Sequence, residues 1–172
     1  PGKAPQSESY MWLYRTSGDT NKPIVLYEYQ PGRGAKHPEA FLKGFKGYLH
    51  TDGYAGYHNL PEEITVVGCW AHARRKFDEA VRSLPKGKAK GSSASQGLTY
   101  CNLLFRMEQE IADKTAEERY EERLKQAKPV LDAMFAWANS RTAAPKSALG
   151  KALNYLKEQW PYLTNYLKDG RL

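Results

Sequence analysis

GYLHTDGYAGYHNL, residues 47–60, begins as a short apolar and aromatic strand and runs straight into one carboxylate, Asp52. Glycines and tyrosines follow at once, a composition open to close backbone approach. Two readings of Asp52 compete. Asp-Gly is a common turn pair, and a turn needs no ligand. Alternatively, Asp52 is a metal ligand at a strand tip. Ligands of α/β sheets gather outside the carboxyl ends of strands, and hard divalent cations take carboxylate oxygens. Two-metal phosphoryl transfer needs two or three such carboxylates converging from separate elements. Asp52 alone is therefore one ligand and not a site.

Upstream, YMWLYR (10–15) is aromatic and apolar on both faces and predicts a buried strand. SGDTNKP is a polar turn, and IVLYEYQ (24–30) a second strand, so 10–30 reads as a hairpin. Pro38 falls where the first residue of a helix would be, and Phe41, Leu42 and Phe45 supply a short apolar helical face. A third strand, 48–51, ends at Asp52, and ITVVGC (64–69) predicts a fourth.

From Trp70 the pattern turns helical. Ala73, Phe77, Ala80, Val81 and Leu84 form one stripe with arginines and lysine opposite. KGKAKGSSASQG (86–97) predicts a basic loop. Tyr100, Leu104, Met107 and Ile111 then recur at helical spacing, and Thr115 with Glu118 forms a capping-box pattern. Tyr120, Leu124, Ala127, Leu131, Met134 and Ala138 keep one register across Pro129, which predicts a kink and not a break. A further helix is expected over 147–159, a bend at Trp160-Pro161, and a short helix to Lys168. Strands first and helices afterwards imply an α/β part followed by a helical bundle or insertion.

The 172 residues carry a net charge of +7 and a pI near 9.3, which suits a polyanionic partner. The charge is uneven. Residues 72–90 hold seven Lys/Arg against two acids, whereas 108–122 hold seven acids against two bases. A nucleic acid running over the basic segment fits this, as do two solvated helix faces. No apolar run is long enough for a membrane span, and no signal peptide is evident. Two cysteines, Cys69 and Cys101, do not suggest a disulfide scaffold, and a reducing cytosol is the natural setting.

Cys69 and His72, in GCWAHARRKF, form a Cys-x-x-His pair, half of a zinc site at most. Cys69 also reads as a small buried residue, and His72 as a capping or packing histidine or a support for a carboxylate or phosphate. Arg74, Arg75 and Lys76 are either DNA-phosphate contacts or the wet side of an amphipathic helix. Tyr54 and Tyr57 either stack on bases or, more commonly for aromatics, pack.

TDGYAGY (51–57) followed by VGCWAHARRKFDEA (67–80) resembles the insertion-sequence sixty-six family of bacterial transposases, as do YMWLYR, HPEAFLKGFKGYL and ALNYLKEQWPYLTNYLKDGRL. The resemblance covers nearly the whole chain. It implies an α/β fold with a ribonuclease-H-like mixed sheet and a large α-helical insertion, and an Asp-Asp-Glu triad binding two Mg2+ ions for DNA strand cleavage and transfer. Asp52 matches the second acidic residue, so it is the expected catalytic residue and metal ligand. Cys69 and His72 resemble the Cys-x-x-His element found after the second Asp in several related transposase groups, and Arg74, Arg75 and Lys76 would hold DNA. The family's first Asp and its final Glu match no residue here, so the expected sheet is incomplete, lacking its first strand. The expected organisation is a linker at 1–9, a partial ribonuclease-H-like core at 10–84 and the helical insertion at 85–172. The expected partners are DNA and further copies of the chain, in a bacterial cytoplasm, with the 172 residues inactive by themselves. Two other classes compete: a non-catalytic nucleic-acid-binding domain and an oligomerisation module.

Overall fold

The computed structural model describes residues 7–16 and 22–172. Residues 1–6 of the expected linker and 17–21 of the expected turn lie outside the described residues. The chain divides into two compact units, one of residues 1–47 and 54–65, the other of 48–53 and 66–172.

The first unit is built on a hairpin. β1 (Tyr10–Arg15) pairs antiparallel with β2 (Val25–Gln30), in the register Trp12 opposite Glu28 and Leu13 opposite Tyr27. Side chains alternate across a strand, so Trp12 and Tyr14 share one face. Trp12 is buried and sits in edge contact with Tyr57, ring centroids 5.9 Å apart; Tyr14 stacks on Phe41 at 3.8 Å. The other face carries Met11, Leu13, Val25, Tyr27 and Tyr29, all exposed. The expectation of a strand buried on both faces is therefore corrected. A two-stranded hairpin with one layer beneath it has only one face to bury. α1 (Lys36–Phe41) starts two residues before Pro38, so that proline is the third helical residue and not the first. It still falls within the first turn, where its missing N–H is no loss. Tyr54, which precedes the short 3-10 turn Ala55–Tyr57, packs edge to face at 6.1 Å on Tyr57, the last residue of that turn, and the Arg33 guanidinium lies 4.1 Å from the Tyr54 ring centre. Packing, not an open stacking surface, is their observed environment.

β3 (Gly47–Thr51) and β4 (Ile64–Gly68) form a second two-stranded sheet. The described residues thus form a mixed α/β structure, rich in helix, with two small sheets.

Helices make up the rest of the second unit. α2 (Trp70–Arg82) buries Ala73, Phe77 and Ala80, as its stripe predicts. α3 (Ser93–Glu110) begins inside the segment expected to be a loop. Two physical facts extend it. The Ser92 hydroxyl caps it by accepting from the Ser95 amide at 3.2 Å, and Gly97 lets it approach α2. A Cβ at Gly97 would stand 2.4 Å from the Phe77 ring, which is fully buried and has no room to yield. Glycine costs a helix about 1 kcal/mol, less than a steric overlap of that size.

α4 (Ala116–Glu122) opens with the expected capping box between Thr115 and Glu118. A wide π turn, Arg123–Ala127, joins it to α5 (Lys128–Asn139), so the helix does continue through this region. Proline in a helix interior costs about 3 kcal/mol or more. After the π turn, Pro129 occupies the first turn of α5, where its N–H is not needed. The extra residue of the wide turn also rotates everything before it. Leu131, Met134 and Ala138 are buried as expected, but Tyr120 and Leu124 are exposed and Arg123 points inward. The expected stripe fails there because a π turn shifts helical register by one residue.

α6 (Ala148–Leu163), capped by the Ser147 hydroxyl, runs through the expected bend at Trp160-Pro161 and ends in a 3-10 turn, Thr164–Lys168. Tertiary contacts hold it there. Trp160 stacks on Phe135 at 4.6 Å, the Trp70 indole donates to the Leu163 carbonyl at 3.0 Å, and the Asn165 amide donates to the Val66 carbonyl at 2.7 Å. One apolar cluster joins α2, α3, α5 and α6 through Phe77, Cys101, Met134 and Leu156. A second gathers Val67, Leu104, Leu131 and Tyr166. Among the described residues no helix is long and apolar enough to cross a membrane.

Candidate nucleic-acid and metal site

Asp52 follows the last residue of β3, and Gly53 after it takes a left-handed φ of +85°. Asp52 thus stands at a strand end, and the left-handed Gly53 ends the extended backbone after it. This segment is held from a distance. The Tyr155 hydroxyl of α6 donates to the Asp52 backbone carbonyl at 3.3 Å, across 103 residues of sequence. A Cβ on Gly53 would lie 3.0 Å from that hydroxyl and 3.0 Å from the Gln159 amide oxygen, and Gln159 is itself buried. The Asp52 side chain is exposed.

Tyr155 also collects the other residues that the sequence singles out. Burial first, then the Cys69 thiol and the Asp52 carboxylate, push its hydroxyl up to about 12, while Arg75 acts in the opposite sense. The Lys76 ammonium lies 5.9 Å from its ring centre. Tyr155 therefore touches the Asp52 backbone and the Lys76 ammonium, and Cys69 and Arg75 act on it electrostatically. Arg74 goes elsewhere: its Nε donates to the Asn102 side chain of α3 at 2.7 Å. His72 begins no visible relay, since its Nδ1 is buried without a hydrogen-bond partner. Cys69 caps α2 through its backbone, with a free thiol, and Cys101 is buried and free, its thiol pushed up to about 12 by burial.

Among the described residues no group of three or more His, Cys, Asp or Glu side chains is placed to hold a metal ion. Asp52 fits one position of a hard-cation site; the donor set around it does not complete one.

Tyr155 and Gln159 escape sequence reasoning because in α6 they read as ordinary helix residues. Arg123 escapes it because the helical pattern places it on the wet face. It is 2% exposed and bridges three elements. Its Nε and one terminal nitrogen bind the Glu108 carboxylate at 2.9 and 2.8 Å, and the other terminal nitrogen donates to the Tyr166 and Asp169 carbonyls at 3.1 and 2.8 Å. A cavity of about 260 Å³ adjoins this group, lined among others by His50, Trp70, Phe105 and Tyr166. Desolvation, then the Arg123 charge, lowers the His50 pKa, so this imidazole favours its neutral form.

These observations define a helix-rich α/β chain with a strand-tip aspartate beside basic helical residues. Comparison with known proteins supplies the class: a model of the IS66 family of transposases matches residues 1–172, and the chain belongs to that family. Three curated relatives, all from Sinorhizobium fredii (strain NBRC 101917 / NGR234), carry only uninformative names. Uncharacterized protein y4qI is 31% identical over 187 residues, covering 100% of this chain and 34% of its own length. Uncharacterized protein y4hP is 30% identical, covering 94% of the chain and 33% of itself. Uncharacterized protein y4jD is 30% identical, covering 87% and 30%. The chain thus spans about a third of the length of these relatives. No solved structure matches it.

Proposed function

We propose that these residues form the middle of a DDE-type DNA transposase core, in which Asp52 supplies one of three catalytic carboxylates and the basic face of α2 holds the DNA backbone. The observation that carries this reading is that one side chain, Tyr155, reaches both the backbone of Asp52 at 3.3 Å and the Lys76 ammonium of α2 at 5.9 Å. It ties the strand tip that bears the carboxylate to a helix whose cationic groups are of the kind that bind phosphate. Family membership supports DNA as the substrate class, and the ribonuclease-H-like sheet with its additional strand belongs to the same proposal. So do a cytoplasmic location, Mg2+ as the family's cation, and Cys69 and His72 as supports behind Asp52.

Alone, the chain is inactive in this reading. One carboxylate cannot hold two cations about 3.5–4 Å apart. What the chain retains is DNA affinity. Titration of the 172-residue chain into a fluorescent duplex at several salt concentrations tests this. The slope of log affinity against log salt should become shallower by about 2 when Arg75 and Lys76 are both replaced by Ala, since each phosphate contact contributes about one. An unchanged slope rejects α2 as the DNA surface. Self-association is the other part of the proposal, and the open apolar face of Met11, Leu13, Val25, Tyr27 and Tyr29 favours it. Sedimentation velocity reports it directly, and a monomer at every concentration rejects that part.

A further inference from the structure

We infer that Tyr155, backed by Gln159, is a positioning residue for Asp52: α6 fixes the backbone just past β3 that presents the carboxylate. This rests on the proposed role of Asp52 and adds to it a residue from α6.

The physical case has three parts. First, the Tyr155 hydroxyl bonds the backbone carbonyl of Asp52, not its side chain, at 3.3 Å. That contact restrains the peptide plane between Asp52 and Gly53 through the main chain. Second, Gly53 is left-handed at φ +85°, and both Tyr155 and Gln159 stand where its Cβ would begin to collide. The backbone at Gly53 therefore occupies a slot that α6 shapes, and a side chain there is disfavoured on two counts, by its left-handed φ and by tight contact with Tyr155 and Gln159. Third, the Lys76 ammonium 5.9 Å from the Tyr155 ring links the same tyrosine to the basic helix. One side chain thus registers the strand tip against both α6 and α2. Displacement of a reacting group by about 1 Å can cost on the order of 100-fold in rate, so a device that fixes this backbone belongs to the chemistry even though it touches no reacting atom.

The test is Tyr155→Phe, which keeps the ring and its packing and deletes only the hydroxyl. In the 172-residue chain the melting temperature should move by less than about 3 °C, because one partly exposed hydrogen bond is lost. The Gly53 amide resonance should shift and broaden and its hydrogen exchange accelerate, while amides in α3 and α5 stay in place. In a full-length family member carrying this segment, strand transfer should fall about 10- to 100-fold with DNA affinity unchanged. A Gly53 amide unmoved by Tyr155→Phe, or strand transfer unaffected by it while Asp52→Asn abolishes activity, overturns the positioning role and leaves the role of Asp52 intact. If Asp52→Asn itself retains strand transfer, the proposed function falls instead, whatever Gly53 does.

Discussion

Asp52→Asn, placed in a full-length family member, should reduce strand transfer by at least about a thousandfold, the order of loss when one member of a cooperating catalytic set is removed. The substitution is nearly isosteric. It leaves the backbone carbonyl that accepts from Tyr155 and the left-handed Gly53 untouched. What it removes is negative charge at an exposed strand tip, and charge is what a hard divalent cation selects among oxygen ligands. Folding should be indifferent, because exposed substitutions away from caps and cores usually stay within about 0.5 kcal/mol. DNA binding should hold or tighten slightly, since loss of a negative charge reduces repulsion of phosphate. The signature is thus a large loss of chemistry with binding and stability preserved. Full activity in the Asn variant would return Asp52 to its plainer reading, a turn residue.

The second large effect concerns stability. Arg123→Ala should destabilise the second unit by about 3 kcal/mol, the low end of the range for removing one partner of a buried pair, because Glu108 keeps partial access to water. The guanidinium is 2% exposed and satisfies the Glu108 carboxylate in a two-point grip while donating to the Tyr166 and Asp169 carbonyls. Its centre also lies 5.2 Å from the Tyr166 ring centre. Alanine would leave these acceptors buried or half-buried without a donor, in a space too large to close. Arg123→Lys should recover only part of the loss, because an ammonium cannot reproduce the planar fork. Thermal melting checks this, with a fall on the order of 10 °C expected for Ala from the usual conversion at this chain length. A fall of less than about 2 °C would mean that the guanidinium is held but not needed.

Much of this chain could be read from its residues wherever local rules operate alone. The hairpin, the strand before Asp52, the Thr115–Glu118 capping box and the Phe77 stripe all appear where composition and period place them. The failures share a cause: each depends on something distant in sequence. Gly97 looks like a loop residue until the Phe77 ring packs against it. Tyr120 and Leu124 continue a good helical stripe, but one extra residue in the π turn carries them to the surface and Arg123 to the interior. Pro161 reads as a bend, yet the contacts of Trp160 and Leu163 hold the helix through it.

The site divides in the same way. Asp52 and the basic run of α2 stand out because charged and glycine-flanked residues are conspicuous in sequence. Arg74 reads as an equal of Arg75, and only the Asn102 contact separates them. Tyr155 could not be singled out, because nothing in the helical pattern of α6 marks the one tyrosine that reaches back to residue 52.

The central claim is that Asp52 offers its carboxylate to a divalent cation in the assembled enzyme. Iron(II)–ascorbate cleavage mapping reads this without depending on turnover, since a bound iron ion cuts the backbone beside its ligands. In a full-length family member the expected result is scission next to Asp52, suppressed by excess Mg2+ and absent from the Asp52→Asn variant. Scission confined to other positions, with the backbone around Asp52 intact, would contradict the account.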